Sequence, residues 1–120
     1  MERDRGMPEP TARRAPGPAR HELPVIDELA LTAARHADRL LAEARERGDD
    51  RWVAFFEAIP DHLRDDELRA LRSTATRARA AYGPNDSVRD VLSADVTEPF
   101  LVALDRLLRE LAREFNRSRR

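Results

Sequence analysis

From Pro24 onward, apolar side chains return every third or fourth residue with charged ones between them. Ile26, Leu29, Ala30, Ala33, Ala37, Leu40, Leu41 and Ala44 form the first such series, a spacing that gathers side chains on one face of an α-helix. Pro24 suits a first turn, where its missing N–H has no intrahelical partner to lose. Asp27 and Glu28 favour the positive end of the helix dipole, and Gly48 supplies a stop. The pattern predicts a long amphipathic helix ending near Arg47. Asp49 or Asp50 then caps a second helix with Trp52, Phe55, Phe56 and Ile59 on its inner face, which Pro60 should kink or end before His62 and Leu63.

Asp65 and Asp66 are candidate caps for a third helix running through Leu68, Leu71, Ala75, Ala78 and Tyr82, stopped by Gly83 and Pro84. Ser87 starts a short helical turn through Val88, Val91 and Leu92. Thr97 is the expected cap of a last helix, with Glu98 and Pro99 in its first turn and a stripe of Phe100, Leu101, Leu104, Leu107, Leu108, Leu111 and Phe115. Nothing reads as a strand. Four helices joined by loops of a few residues imply an all-α fold, a small antiparallel bundle. Residues 1–22, with Pro8, Pro10, Pro16 and Pro18 among charges, lack the periodicity and apolar mass that offset ordering entropy, and are expected to be a disordered arm. The bundle is expected over 23–116 and a frayed tail over 117–120.

Composition narrows the chemistry. The chain of 120 residues has room for one domain; it is 41% hydrophobic and 38% charged, and its 22 basic and 23 acidic side chains leave a formal charge of -1. That balance argues against a general polyanion binder. All the bases are arginine, which with abundant alanine has the look of a high-GC bacterial genome. Without cysteine there is no disulfide framework, thiolate metal site or thiol nucleophile. No apolar run approaches a membrane span or a signal peptide, so a cytoplasmic protein without membrane contact is expected.

The three histidines, His21, His36 and His62, share no ligand spacing. His36 and Glu43 are two turns apart, about 10 Å along a helix, too far to hold one ion. His62 with Asp61, Asp65 and Asp66 could gather around a cation at a turn, but the same acids serve helix capping. No serine sits in a glycine-flanked elbow, and four scattered glycines cannot form a phosphate loop. The expectation is a non-enzymatic protein with no catalytic residue, cofactor or metal. Arg69, Arg72, Arg77 and Arg79 on the third helix, and Arg106, Arg109, Arg113, Arg117, Arg119 and Arg120 toward the end of the last, are the candidate phosphate contacts of a nucleic-acid-associated regulator. Interleaved acids count against that alternative.

The loop around Tyr82, Asn85, Asp86 and Asp90 crowds turn formers and polar groups between two helices, as recognition loops do. Together with Trp52 these are the candidate partner-binding residues of a protein–protein interaction module, since large aromatics dominate interface energetics. The last helix has a second apolar edge, Leu101 with Leu108, on which a second copy of the chain could form a homodimer.

Gly48, Asp49, Asp50 and Trp52, then the helix Leu68 to Ala80, then Tyr82, Gly83, Ser87, Asp90, Val91 and Leu92 make a recognisable order. Over about residues 42–92 it resembles an uncharacterised family of small bacterial helical proteins. Pro84, Asn85 and Asp86 stand where that family more often shows glycine and methionine. The resemblance implies a helical fold and, the family having no assigned activity, no reaction.

Overall fold

The computed structural model describes residues 18–118, and within them every regular element is helical. The elements are α1 (Pro24–Glu46), α2 (Asp50–Phe56), α3 (Ile59–Asp65), α4 (Leu68–Arg79) and α5 (Ala94–Ser118), with single 3₁₀ turns at Arg20–Glu22, Ala80–Tyr82 and Val88–Asp90. α1 packs against α5 and α3, and α4 packs against α3 and α5, so these four close a ring while α2 leans on α1. Neighbours run antiparallel. The end of α1 meets the start of α5 where Glu43 binds Ser93, and along α4 Arg72 lies over Phe115 near the end of α5 while Arg79 reaches back to Asp105 at its middle.

α1 owes its close approach to small side chains: Ala30, Ala33, Ala34, Ala37 and Ala44 are fully buried and leave room for the larger residues opposite. Those include Phe56 and Phe100, both fully buried with ring centroids 5.9 Å apart, and Leu40, Leu63, Leu71, Leu104, Leu107 and Leu111. Burying a side chain of that size is worth roughly 1.5–3 kcal/mol, which is the main force closing the ring.

Chain reversals follow local chemistry. α1 ends in a paired cap: the Asp49 N–H donates to the Ala44 carbonyl (3.0 Å) and the Gly48 N–H to that of Arg45 (3.1 Å). This closure needs a left-handed residue, and Gly48 supplies it at φ +66°. Asp49 then caps α2, its carboxylate accepting from the Trp52 N–H at 3.0 Å. The expected break of the second helix is real but falls at Glu57–Ala58, ahead of Pro60. Pro60, unable to donate to α2, sits in the first turn of α3, where no donation is required.

Several boundaries differ from the expected ones. Neither Asp65 nor Asp66 caps α4; the cap position is Glu67, which makes no side-chain capping bond. The Asp66 carboxylate is engaged instead by His62 Nδ1 (3.1 Å) and the Thr74 hydroxyl (3.0 Å). α4 stops at Arg79 and tightens into the 3₁₀ turn that carries Tyr82. α5 begins at Ala94, so Thr97 lies buried within it and Pro99 is its sixth residue. A proline there cannot donate to the Asp95 carbonyl, and the helix starts ahead of it where Glu43 accepts from the Ser93 N–H and hydroxyl.

The body also starts earlier than the arm assigned to 1–22 allows. The turn at Arg20–Glu22 is part of it, and Arg20 is buried. Arg20 Nε donates to Asp27 (2.7 Å), a second guanidinium nitrogen to the Asp66 carbonyl (2.9 Å), and its backbone N–H to the Glu67 carboxylate (2.8 Å). At the other end α5 reaches Ser118, into the stretch expected to fray. The rest of the expected arm, residues 1–17, and Arg119 and Arg120 of the expected tail lie outside the described residues.

Candidate interaction surface

The loop from Gly83 to Ser93 is built by capping. Gly83 is extended, at φ -66° and ψ 174°, as a residue before proline must be, and the left-handed position of the loop falls on Asp86 at φ 53°. Ser87 Oγ accepts from the Arg89 N–H (3.1 Å), while the Asp90 carboxylate accepts from the Ser87 N–H (3.2 Å). These reciprocal bonds satisfy two amides that the short 3₁₀ turn leaves open. Asp90 thus has a framework role, while its side chain, like those of Asn85 and Asp86, is at the surface.

Tyr82 points inward. It is 8% exposed, and its hydroxyl donates to the Thr97 carbonyl at 2.6 Å, tying the loop to the first turn of α5. Arg79 and Arg89 lie over its ring, at 5.8 and 5.7 Å from the centroid. Burial pushes the phenol well above its ordinary range, with the nearby Glu98 carboxylate adding to the effect. Arg89 forms a two-pronged pair with Glu98 (2.9 and 2.7 Å), which holds that carboxylate below the usual range and the guanidinium above its own.

Trp52 is likewise core, 3% exposed, set edge-on to Phe55 and tilted on Phe56 at 5.5 and 5.9 Å. The structure therefore does not bring the five candidate partner-binding residues together at the surface: three are outside and the two aromatics are inside. In sequence, an aromatic on a helix face and one anchoring an interface look the same.

The arginines of α4 divide between two neighbours. Arg72 lies over Phe115 of α5 at 4.8 Å, Arg79 pairs with Asp105 at 2.9 Å, and Arg77 lies over Phe55 of α2 at 5.6 Å. Arg69 is exposed and makes no ion pair among the described residues. A phosphate backbone would meet no single row of free guanidinium groups here.

Glu43 does what sequence reasoning missed. Its carboxylate accepts from the Ser93 N–H (2.6 Å) and hydroxyl (2.7 Å) and from Arg47 (3.1 Å), so the end of α1 closes the start of α5. The Ser93 amide is the main reason that this carboxyl is held below the usual range. Nothing in the local sequence marks it, because the two residues are fifty positions apart.

The outer side of the molecule carries a few large apolar side chains: Val25 is 62% exposed, Val102 51% and Val91 39%. Val25 edges a groove of about 230 Å³ between the start of α1 and the end of α5, walled by Glu110, Glu114 and Arg117. Val102 stands on the solvent side of α5. Leu101 and Leu108, the edge expected to be free for a second copy, are half-buried against the core instead. Among the described residues no group of His, Asp and Glu is placed to hold a metal ion, and no helix is long and apolar enough to cross a membrane. The chain matches no protein-family model, and no curated protein or solved structure matches it significantly.

Proposed function

We propose that this chain is a non-enzymatic, cytoplasmic bacterial protein that works as a protein–protein interaction module. The observation that carries the reading is Val102, half exposed in the first half of a long helix whose start is held by Glu43 and whose body packs on α1 and α4. An apolar side chain on a rigid, charged helix face is the kind of position a partner desolvates at low entropic cost. The framework roles of Glu43, Tyr82, Ser87 and Asp90 add support, since these polar groups are spent on joining elements. The division of the α4 arginines between α2 and α5 favours a protein partner over nucleic acid.

The test is capture from bacterial lysate on immobilised wild-type protein and on Val102→Asp, with and without nuclease. Protein captured at stoichiometric levels after nuclease, and lost with Val102→Asp, is the expected result. Recovery of nucleic acid, with proteins lost after nuclease, would refute the module and favour a nucleic-acid-associated regulator.

A further inference from the structure

α5 carries charges on its solvent side in an order that reverses about Val102. Asp95 and Glu98 lie on one side of Val102, Arg106 and Arg109 on the other, and at 100° per residue all five fall within one stripe about a quarter-turn wide. Asp95 is seven residues before Val102 and Arg109 seven after it; Glu98 is four before and Arg106 four after. Each member of a pair is therefore about 10 Å, or about 6 Å, from the valine along the axis. Laying a second α5 antiparallel across the first, with a two-fold axis passing between the two Val102 side chains, sets Asp95 against Arg109, a pair that occurs twice, and brings Arg106 toward Glu98, whose carboxylate Arg89 already holds. The two valines meet at the centre.

The helix dipole accounts for acids at the start of α5 but not for these arginines. They are the thirteenth and sixteenth of its 25 residues, well short of the last turn, where the dipole acts on cations. Intramolecular pairing does not account for them either: among the described residues Arg106 and Arg109 have no ion-pair partner, whereas Arg113 is paired with Glu110 and Arg117 with Glu114. Asp95 is also exposed and without an ion pair among the described residues, and Val102 exposes 51% of its surface. Self-complementarity of one patch is the condition for a closed two-fold interface.

We propose that the partner of this surface is a second copy of the chain, docked α5 against antiparallel α5 about Val102. The proposal rests on the interaction-module reading and supplies its partner. Because the contact is one pair of helices with exposed ion pairs at its edges, the dimer is weak and loosens as salt rises.

Sedimentation equilibrium of the full chain, from micromolar to millimolar, tests it on four samples: wild type, Asp95→Arg, Arg109→Asp, and the two variants mixed. Wild type should show a monomer–dimer equilibrium that weakens with salt. Each reversal turns two attractions into two repulsions and should weaken the dimer at least about tenfold. The mixture should recover it, since the arginine introduced at position 95 of one chain then faces the aspartate introduced at position 109 of the other. This recovery cannot come from a variant that failed to fold. A wild type that stays monomeric at every concentration overturns the proposal, as do reversals without effect or a mixture that does not recover. A monomeric wild type would leave the module reading to be decided by the Val102→Asp capture, so the two can fail separately.

Discussion

Replacing Glu43 by Gln tests the tie between the two longest helices. The carboxylate has 18% of its side-chain surface exposed and accepts three hydrogen bonds, two of them from Ser93. A hydrogen bond to a charged group contributes about 1.5–3 kcal/mol net. The amide retains one acceptor oxygen and loses the charge, so Glu43→Gln should cost about 1–2 kcal/mol and Glu43→Ala somewhat more. The effect should depend on pH in a defined direction. Because the folded protein holds this carboxyl below its ordinary pKa, the unfolded chain takes up the proton first on acidification. The contribution is therefore complete above about pH 5, and it is lost as pH falls through about 4.3 and on through the folded value. Urea unfolding followed by circular dichroism at pH 7 and pH 3.5 reads both effects. Wild type should exceed Glu43→Gln at pH 7, with the gap narrowing in acid. Equal stability at pH 7, or a gap unchanged at pH 3.5, would refute the account of Glu43 as the closure of α5.

Tyr82→Phe keeps the ring and removes the donor to Thr97, and should lower stability by about 0.5–1.5 kcal/mol in the same assay. Gly48→Ala meets no neighbour within 4 Å, yet forces a Cβ into φ +66°; a loss of about 1–2 kcal/mol is expected from backbone strain alone. His36 titrates below its ordinary range, chiefly through burial and secondly through Arg39 and Arg35. Since the unfolded chain then protonates first, acidifying through about pH 6.5 should erode stability, and His36→Gln should remove that component of a pH–stability curve.

Periodicity made the helices legible because each buries one face and the pattern records which. Proline and glycine marked the breaks at Gly48, Pro60 and Gly83, with errors of a few residues where a distant group decides the boundary. The start of α5 shows why: the local pattern favoured Thr97 as a cap, and a carboxylate from α1 moved the start to Ala94. The surface was less legible for a related reason. Trp52 and Tyr82 stand out in the sequence for their size, but size is what a core also selects. Val102 lies opposite the stripe of Phe100, Leu104, Leu107 and Leu111, so the period of α5 already turned it away from the core, but an exposed valine does not by itself mark a contact surface. The arginines of α5 were visible; that Arg106 and Arg109 have no ion-pair partner among the described residues while Arg113 and Arg117 have one depends on side-chain geometry.

The buried guanidinium of Arg20 bears on where this domain can be cut. Its contacts with Asp66 and Glu67 close a loop of more than forty residues, so the segment just before α1 fixes the junction of α3 and α4 from a distance. A recombinant form begun at Leu23, just ahead of the apolar repeat, would strip Asp27 and Glu67 of their Arg20 donors and open the seat that the arginine fills. One begun at Pro18 would keep the clasp whole, and the difference between the two in resistance to proteolysis would measure how far the folded unit extends beyond its own hydrophobic pattern.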